Sequence, residues 1–249
     1  MAGVSARAKN RQKGLKTGSP SRQKRLKSEA RPRYAWEGSY LKPVFYIALF
    51  VSILSIFLFP YLYLAGIISI NAANADATIG LSLFFPLVVF SYLLAKGRTL
   101  KEIVKELGLS REALNRHALM IGVLVFVAIL LLEFGISAFQ QVTNIKLPTN
   151  VAQVFAGLPA YIFAFAVVVA PFDEEVLFRG FLVPRIGIIL SALIFGFLHF
   201  LSYASISEFV AAFVFGLLAG YAFRKTKSLY STILPHMLVN VLGVLALLL

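Results

Sequence analysis

Long uncharged apolar runs constrain the fold of this chain more than any other feature of its sequence. Seven runs can be traced, at about residues 45–70, 78–95, 118–139, 151–172, 186–200, 206–223 and 229–249. A bilayer core roughly 30 Å thick requires about 20 apolar residues per helix, and a helix satisfies its own backbone polar groups there. With 59% apolar residues and a mean hydropathy of +0.82, the chain is predicted to be an all-α, multi-pass transmembrane helix bundle with about seven spans. The fourth span is expected to continue as helix through residues 173–182.

Charge and composition divide the sequence into three predicted regions. Residues 1–43 form a basic, Gly-, Ser- and Gln-containing tail, which predicts a disordered cytoplasmic segment near anionic lipid rather than a specific nucleic-acid binder. Residues 44–149 are predicted to hold N-terminal transmembrane helices with an amphipathic cytoplasmic segment at 96–117. Residues 150–249 hold the remaining spans. The chain has no cysteine, which excludes disulfides, zinc-thiolate sites and a cysteine nucleophile.

Lysine and arginine predict the orientation of the spans. The basic tail, segment 96–117 and residues 224–227 are rich in Lys and Arg, and Arg185 ends the fourth span. The intervening loops at 71–77, 140–150 and 201–205 carry a single lysine between them. Because positive charge favours the cytoplasmic side, we predict a multi-pass cell-membrane protein with a cytoplasmic N-terminus and an extracytoplasmic C-terminus.

Ionisable residues inside the spans are the candidates for chemistry, because charge in hydrocarbon is costly. Of these, Glu208 is interpreted as a surface residue, and Glu133 as either a structural hydrogen-bonding group or part of a site. The others fall into three groups at similar predicted depth. In the first group, Glu175 and Arg179 are spaced i,i+4 and can pair on one helix face, which leaves Glu174 free for chemistry. The other two groups also have i,i+4 spacing: Phe195 with His199, and His236 with Asn240.

This ordered set, EExxxR, FxxxH and HxxxN, resembles the motifs of the CAAX protease and bacteriocin-processing family, the type II CAAX prenyl endopeptidases and their prokaryotic relatives. The likeness covers about residues 150–249 and includes the sequence FRG at 178–180. It implies that this region is a catalytic transmembrane domain and that the chain is a glutamate-type intramembrane endopeptidase. By motif position, Glu174 and His199 would activate a water, His236 and Asn240 would stabilise the oxyanion, and Glu175 with Arg179 would hold Glu174 in place.

Such a protease would need no cofactor, and its partner would be a membrane-associated protein or peptide substrate. Three alternatives stay open on the sequence. Two His and a Glu form an acceptable catalytic zinc set, which would make the protein a zinc-dependent membrane hydrolase. The same buried groups could serve a transporter, or they could lie in a non-catalytic immunity protein on the same scaffold. The motifs leave the substrate open among prenylated tails, sorting tails and bacteriocin precursors.

Overall fold

The computed structural model of the protein describes residues 41–69, 75–146 and 149–248. Over these ranges it is all-helical and has no strand. The predicted basic tail falls almost wholly within residues 1–40, outside the described part of the chain.

Ten α-helices, numbered in chain order, lie within these described ranges. They are α1 (Leu41–Leu64), α2 (Ala75–Ala95), α3 (Leu100–Glu106), α4 (Arg116–Thr143), α5 (Val151–Phe155), α6 (Ala160–Glu175), α7 (Val183–Ile186), α8 (Ile188–Tyr203), α9 (Ile206–Thr226) and α10 (Tyr230–Leu248). A π-helix, Val176–Leu182, joins α6 to α7, and a 3-10 turn occupies Arg111–Ala113.

The apolar runs do form helices, but only some have the length and composition of a membrane span. In the part of the chain that the structure describes, four helical segments qualify: Pro43–Leu64, Arg116–Thr143, Ile206–Thr226 and Tyr230–Leu248. Two shorter apolar helices are Ile79–Ala95 and Ile188–Tyr203. The multi-pass helical character is therefore supported for the described residues, whereas the count of seven spans is not confirmed.

The predicted fourth span, 151–172, is wrong as a single helix. The short helix α5 ends at Phe155, Gly157 adopts a left-handed φ of 72° and Pro159 stands at the N-cap of α6. Glycine adopts this φ without strain, and proline lacks the N–H that a helix interior requires, so both favour a break here. The expected continuation through 173–182 is present, although residues 176–182 of it form the π-helix.

Segment 96–117 is likewise not one amphipathic helix. The Thr99 hydroxyl and the Glu102 carboxylate cap the start of α3 reciprocally, each accepting a 2.9 Å hydrogen bond from a backbone N–H of the other residue. The chain leaves the helix at Gly108, whose φ is 70°. The Asn115 side chain accepts a hydrogen bond from the backbone N–H of Ala118 and so caps α4. The helical spacing of the sequence did not indicate this break.

Helix packing brings three elements to the site. α8 packs extensively on α9, α10 packs on α4 and α6, and α1 and α2 pack on each other and on α8 and α6, respectively. Small residues allow the close approach of α8 and α9. A Cβ added to Gly216 would lie 2.8 Å from the Cβ of Ala192, and one added to Gly196 would lie 2.9 Å from the carbonyl oxygen of Phe209. The end of α6, the second half of α8 and the middle of α10 are thereby held together.

Candidate active site

The first group of predicted residues lies where α6 gives way to the π-helix. Glu174 and Glu175 end α6, and Arg179 lies in the π-helix, a local geometry that is frequent at functional sites. The Ser191 hydroxyl of α8 donates a 2.9 Å hydrogen bond to the carbonyl of Phe178. This bond provides a partner for a backbone carbonyl of the π-helix and ties the segment to α8.

Glu175 and Arg179 form a buried ion pair. Arg179 Nη1 donates a 2.7 Å hydrogen bond to Glu175 Oε1, and the two side chains are 1% and 0% exposed. The guanidinium carbon lies 4.3 Å from the ring centroid of Phe195 and 5.0 Å from that of Phe215. Aromatic faces attract a cation, so these rings and the carboxylate together hold Arg179 in the protein interior.

His236 lies between the two glutamates. Its Nδ1 donates a 2.8 Å hydrogen bond to Glu175 Oε1, because a carboxylate oxygen paired with arginine acts as the acceptor. Its Nε2 lies 3.7 Å from Glu174 Oε2, beyond ordinary hydrogen-bond length. The family resemblance implies that His236 helps to stabilise the oxyanion. The structure adds that His236 connects the Glu175–Arg179 pair to Glu174.

His199 has one ring nitrogen occupied by its own helix. Nδ1 lies 3.0 Å from the carbonyl oxygen of Phe195, one turn earlier. Because a carbonyl only accepts, Nδ1 carries the proton. In the neutral ring Nε2 then presents a lone pair. His199 can therefore accept a hydrogen bond from a water through Nε2.

Asn240 connects α10 to α6. Its Nδ2 donates a 2.8 Å hydrogen bond to the carbonyl oxygen of Ala166. An amide nitrogen carries two hydrogens, so one N–H remains beyond this contact. Asn240 thus links α10 to α6 and keeps a second N–H that can donate a hydrogen bond.

The four residues predicted to be catalytic border one cavity of about 240 Å³. The cavity lies among α5, α6, α8, α9 and α10, and its wall includes Glu174, His199, His236 and Asn240. Glu175 and Arg179 are not among its lining residues, and they contact the cavity's wall through His236. The arrangement provides carboxylate, imidazole and amide groups around a space larger than a water, whose share of liquid volume is about 30 Å³.

Two further cavities meet at Glu174. One, of about 160 Å³, runs between α1, α2 and α6 and is mostly apolar, with Phe59, Phe85 and Phe165 in its wall. The other, of about 80 Å³, lies beside His199. Glu174 borders all three cavities. Its carboxylate is therefore accessible both from the apolar cavity of about 160 Å³ and from the cavity of about 240 Å³ that the polar site residues line.

Sequence reasoning missed two residues of this site. Tyr203 borders all three cavities beside Glu174, and its i,i+4 spacing from His199 was a signal that could have found it. Glu208, interpreted from the sequence as a surface residue, is half-buried, borders the largest of the three cavities and accepts a 3.0 Å hydrogen bond from the Thr149 hydroxyl. Its position at the start of α9 suggested exposure, but only the packing of α9 shows the cavity beside it.

Two other polar residues lie apart from the cavity of about 240 Å³. Glu133 of α4 has an exposed side chain and is not among the residues that line it. Asp173, immediately before the two glutamates, is buried and accepts a 3.1 Å hydrogen bond from the Ser82 hydroxyl of α2. Across residues 41–69, 75–146 and 149–248, no group of three or more His, Asp or Glu side chains is placed to hold a metal ion.

The comparison with known protein families adds an independent observation to this geometry. Residues 156–242 match the family model of Rce1-like type II CAAX prenyl endopeptidases. The resemblance inferred from the three motifs is therefore confirmed, and the Rce1-like region includes every residue of those motifs. No curated protein and no solved structure matches the chain. The Rce1-like match supports a membrane protease in general.

Proposed function

We propose that this protein is an intramembrane endopeptidase that hydrolyses a peptide bond in a membrane-associated protein or peptide with a water activated by Glu174 and His199. The observation that carries the proposal is the cavity of about 240 Å³ that Glu174, His199, His236 and Asn240 border together. These groups come from α6, α8 and α10, and they lie inside the Rce1-like region. Peptide hydrolysis requires a base, an oriented water and donors for the developing negative charge.

In the proposed reaction, Glu174 acts as the general base. It takes a proton from the water while the water's oxygen attacks the carbonyl carbon of the scissile bond. Nε2 of His199 accepts the second hydrogen of the water and orients it. The carbonyl oxygen becomes an oxyanion, and the proton held by Glu174 passes to the leaving nitrogen as the C–N bond breaks.

The buried pair Glu175–Arg179 is proposed to position Glu174 rather than to react. Glu175 is fully buried and already bonded to Arg179 and His236, so it is poorly placed to take part in proton exchange with a water. Glu174, at 18% exposed, faces the cavities, and its 3.7 Å approach to His236 is beyond ordinary hydrogen-bond length. This difference supports a division of labour between two adjacent glutamates.

His236 and Asn240 are proposed to stabilise the oxyanion. Asn240 has its second N–H available for this purpose, since Ala166 takes only one. His236 can donate from Nε2 only when its ring is protonated, because Glu175 already holds the Nδ1 proton.

The proposed setting of the reaction is the cell membrane, with the N-terminus cytoplasmic and the C-terminus extracytoplasmic. Helices α1, α4, α9 and α10 supply segments long and apolar enough to span a bilayer, and the alternation of basic loops supports the orientation. A membrane-associated substrate would reach Glu174 through the apolar cavity between α1, α2 and α6. We propose that the basic tail contacts anionic lipid.

Comparative membrane proteomics tests the proposed function. Strains carrying the wild-type protein, Glu174→Gln and Glu112→Gln are compared for membrane proteins or peptides that persist uncleaved. Glu112 is an exposed residue of the 3-10 turn and is the matched control. The proposal expects at least one precursor to accumulate with Glu174→Gln alone. If the profile of Glu174→Gln equals that of the wild type, while the variant protein is present at normal abundance, Glu174-dependent proteolysis is refuted.

A further inference from the structure

Hydrogen-bond donors are scarce around the cavity that holds the proposed reaction. His199 and His236 both direct their protonated Nδ1 away from it, toward Phe195 and Glu175. In their neutral forms both rings can only accept through Nε2. Asn240 retains one N–H after bonding to Ala166. An oxyanion forming beside Glu174 would therefore find one neutral donor among the four predicted residues, whereas oxyanion sites commonly use two.

Tyr203 has the position and the chemistry to be the missing donor. It is the last residue of α8, and its ring centroid lies 6.1 Å from that of His199. Tyr203 and Glu174 are the two residues that border all three cavities meeting at the site. A phenol carries an O–H donor that needs no protonation change to act at neutral pH.

The hydroxyl of Tyr203 is also uncommitted. It forms no hydrogen bond with any other residue in the described ranges 41–69, 75–146 and 149–248, unlike Tyr230, whose hydroxyl donates to the carbonyl of Leu109. A half-buried tyrosine usually finds a partner for its O–H. A substrate carbonyl in the cavity would provide one.

We propose that Tyr203 is a further catalytic residue, whose hydroxyl donates a hydrogen bond to the oxyanion together with the free N–H of Asn240. This inference rests on the proposed function, because it assumes that Glu174 directs water at a peptide carbonyl. The donor acts on the charge that develops in the transition state, so its removal lowers kcat more than it changes KM. Loss of one such donor typically reduces kcat by about 10²–10³-fold.

The first measurement is made in membranes, with Tyr203→Phe as the variant and Tyr221→Phe as the matched control. The change removes only the hydroxyl, and Tyr221 is 60% exposed on α9, away from the three cavities. The precursor that accumulates with Glu174→Gln should accumulate with Tyr203→Phe and not with Tyr221→Phe. Normal processing by Tyr203→Phe alongside a block in Glu174→Gln overturns the inference and leaves the proposed function standing. If Glu174→Gln itself accumulates nothing, the proposed function fails and the inference falls with it.

The second measurement separates a catalytic role from a structural one. Purified wild type and Tyr203→Phe are assayed on a quenched fluorogenic peptide spanning the cleavage site of that precursor, and their melting midpoints are compared. The proposal expects a kcat lower by about 10²–10³-fold, with KM within a few-fold and an unchanged midpoint. A rise in KM at constant kcat, or a loss of activity that follows a loss of folded protein, contradicts oxyanion donation.

Discussion

Replacing Glu175 by alanine should destabilise the protein, whereas replacing Glu174 by glutamine should not. Glu175→Ala leaves the guanidinium of Arg179, 1% exposed, without its 2.7 Å carboxylate partner, and it also removes the acceptor of the His236 Nδ1 proton. A buried charge that loses its partner typically costs about 3–5 kcal/mol in the free energy of unfolding. The rings of Phe195 and Phe215 at 4.3 and 5.0 Å offset only part of this cost.

Glu174→Gln keeps the shape of a side chain that is 18% exposed and whose 3.7 Å approach to His236 is beyond ordinary hydrogen-bond length. Its effect on the free energy of unfolding should stay below about 1 kcal/mol, in the range of substitutions outside buried networks. Catalysis should nevertheless fall by orders of magnitude, because an amide cannot take the proton from the water.

The assay is thermal unfolding of detergent-purified protein, read together with cleavage of the precursor-derived peptide. A loss of about 3–5 kcal/mol corresponds to a midpoint lower by roughly 6–20 °C, at about 2–4 °C per kcal/mol for a chain of this size. The double variant Glu175→Leu with Arg179→Met removes both charges, and it should recover most of the lost stability without recovering activity. The reasoning is refuted if Glu174→Gln lowers the midpoint as much as Glu175→Ala does, or if the double variant is less stable than Glu175→Ala alone.

Three further outcomes test the topology, the chemistry and the packing. A topology reporter fused after Leu249 should read extracytoplasmic, and a cytoplasmic signal would mean that the number of spans is even. Activity of the purified protein should survive strong chelators; stoichiometric zinc in the protein combined with inactivation by a chelator would favour the zinc-dependent alternative. Gly108→Ala should lower stability far more than Gly66→Ala, although both glycines have φ 70°, because of the two only at Gly108 would an added Cβ collide with backbone, namely the carbonyl oxygen of Lys227. Equal losses of midpoint in the two glycine variants would contradict the packing argument.

Much of the local structure could be read from the sequence because it depends on residues close together in the chain. The lengths of the apolar runs predicted helices at membrane-span length, and α4, α9 and α10 begin and end within a few residues of the expected positions. Helical periodicity also predicted that Glu175 and Arg179 share a face, where they lie 2.7 Å apart. The three family motifs also lie within residues 156–242, which match the Rce1-like family model.

Interruptions of helices were harder to predict because they depend on single residues within apolar surroundings. Gly157 and Pro159 separate α5 from α6, and Gly187 separates α7 from α8 with a φ of 86°. A hydropathy profile cannot predict these helix breaks, because the sequence stays apolar on both sides of a glycine with a left-handed φ. The π-helix at Val176–Leu182 is equally invisible to a pattern based on 3.6 residues per turn.

The site itself was decided by tertiary structure. Sequence spacing could place His236 and Asn240 on one helix face, but it could not show that His236 bonds to Glu175 or that Asn240 bonds to the Ala166 carbonyl. Those contacts join residues that are 61 and 74 positions apart in the chain. They depend on the orientation in which α10 packs against α6. The same packing sets Tyr203 and Glu208 beside the cavities. Local patterns fix which face of a helix a side chain occupies, whereas the close packing of one helix on another determines what that face meets.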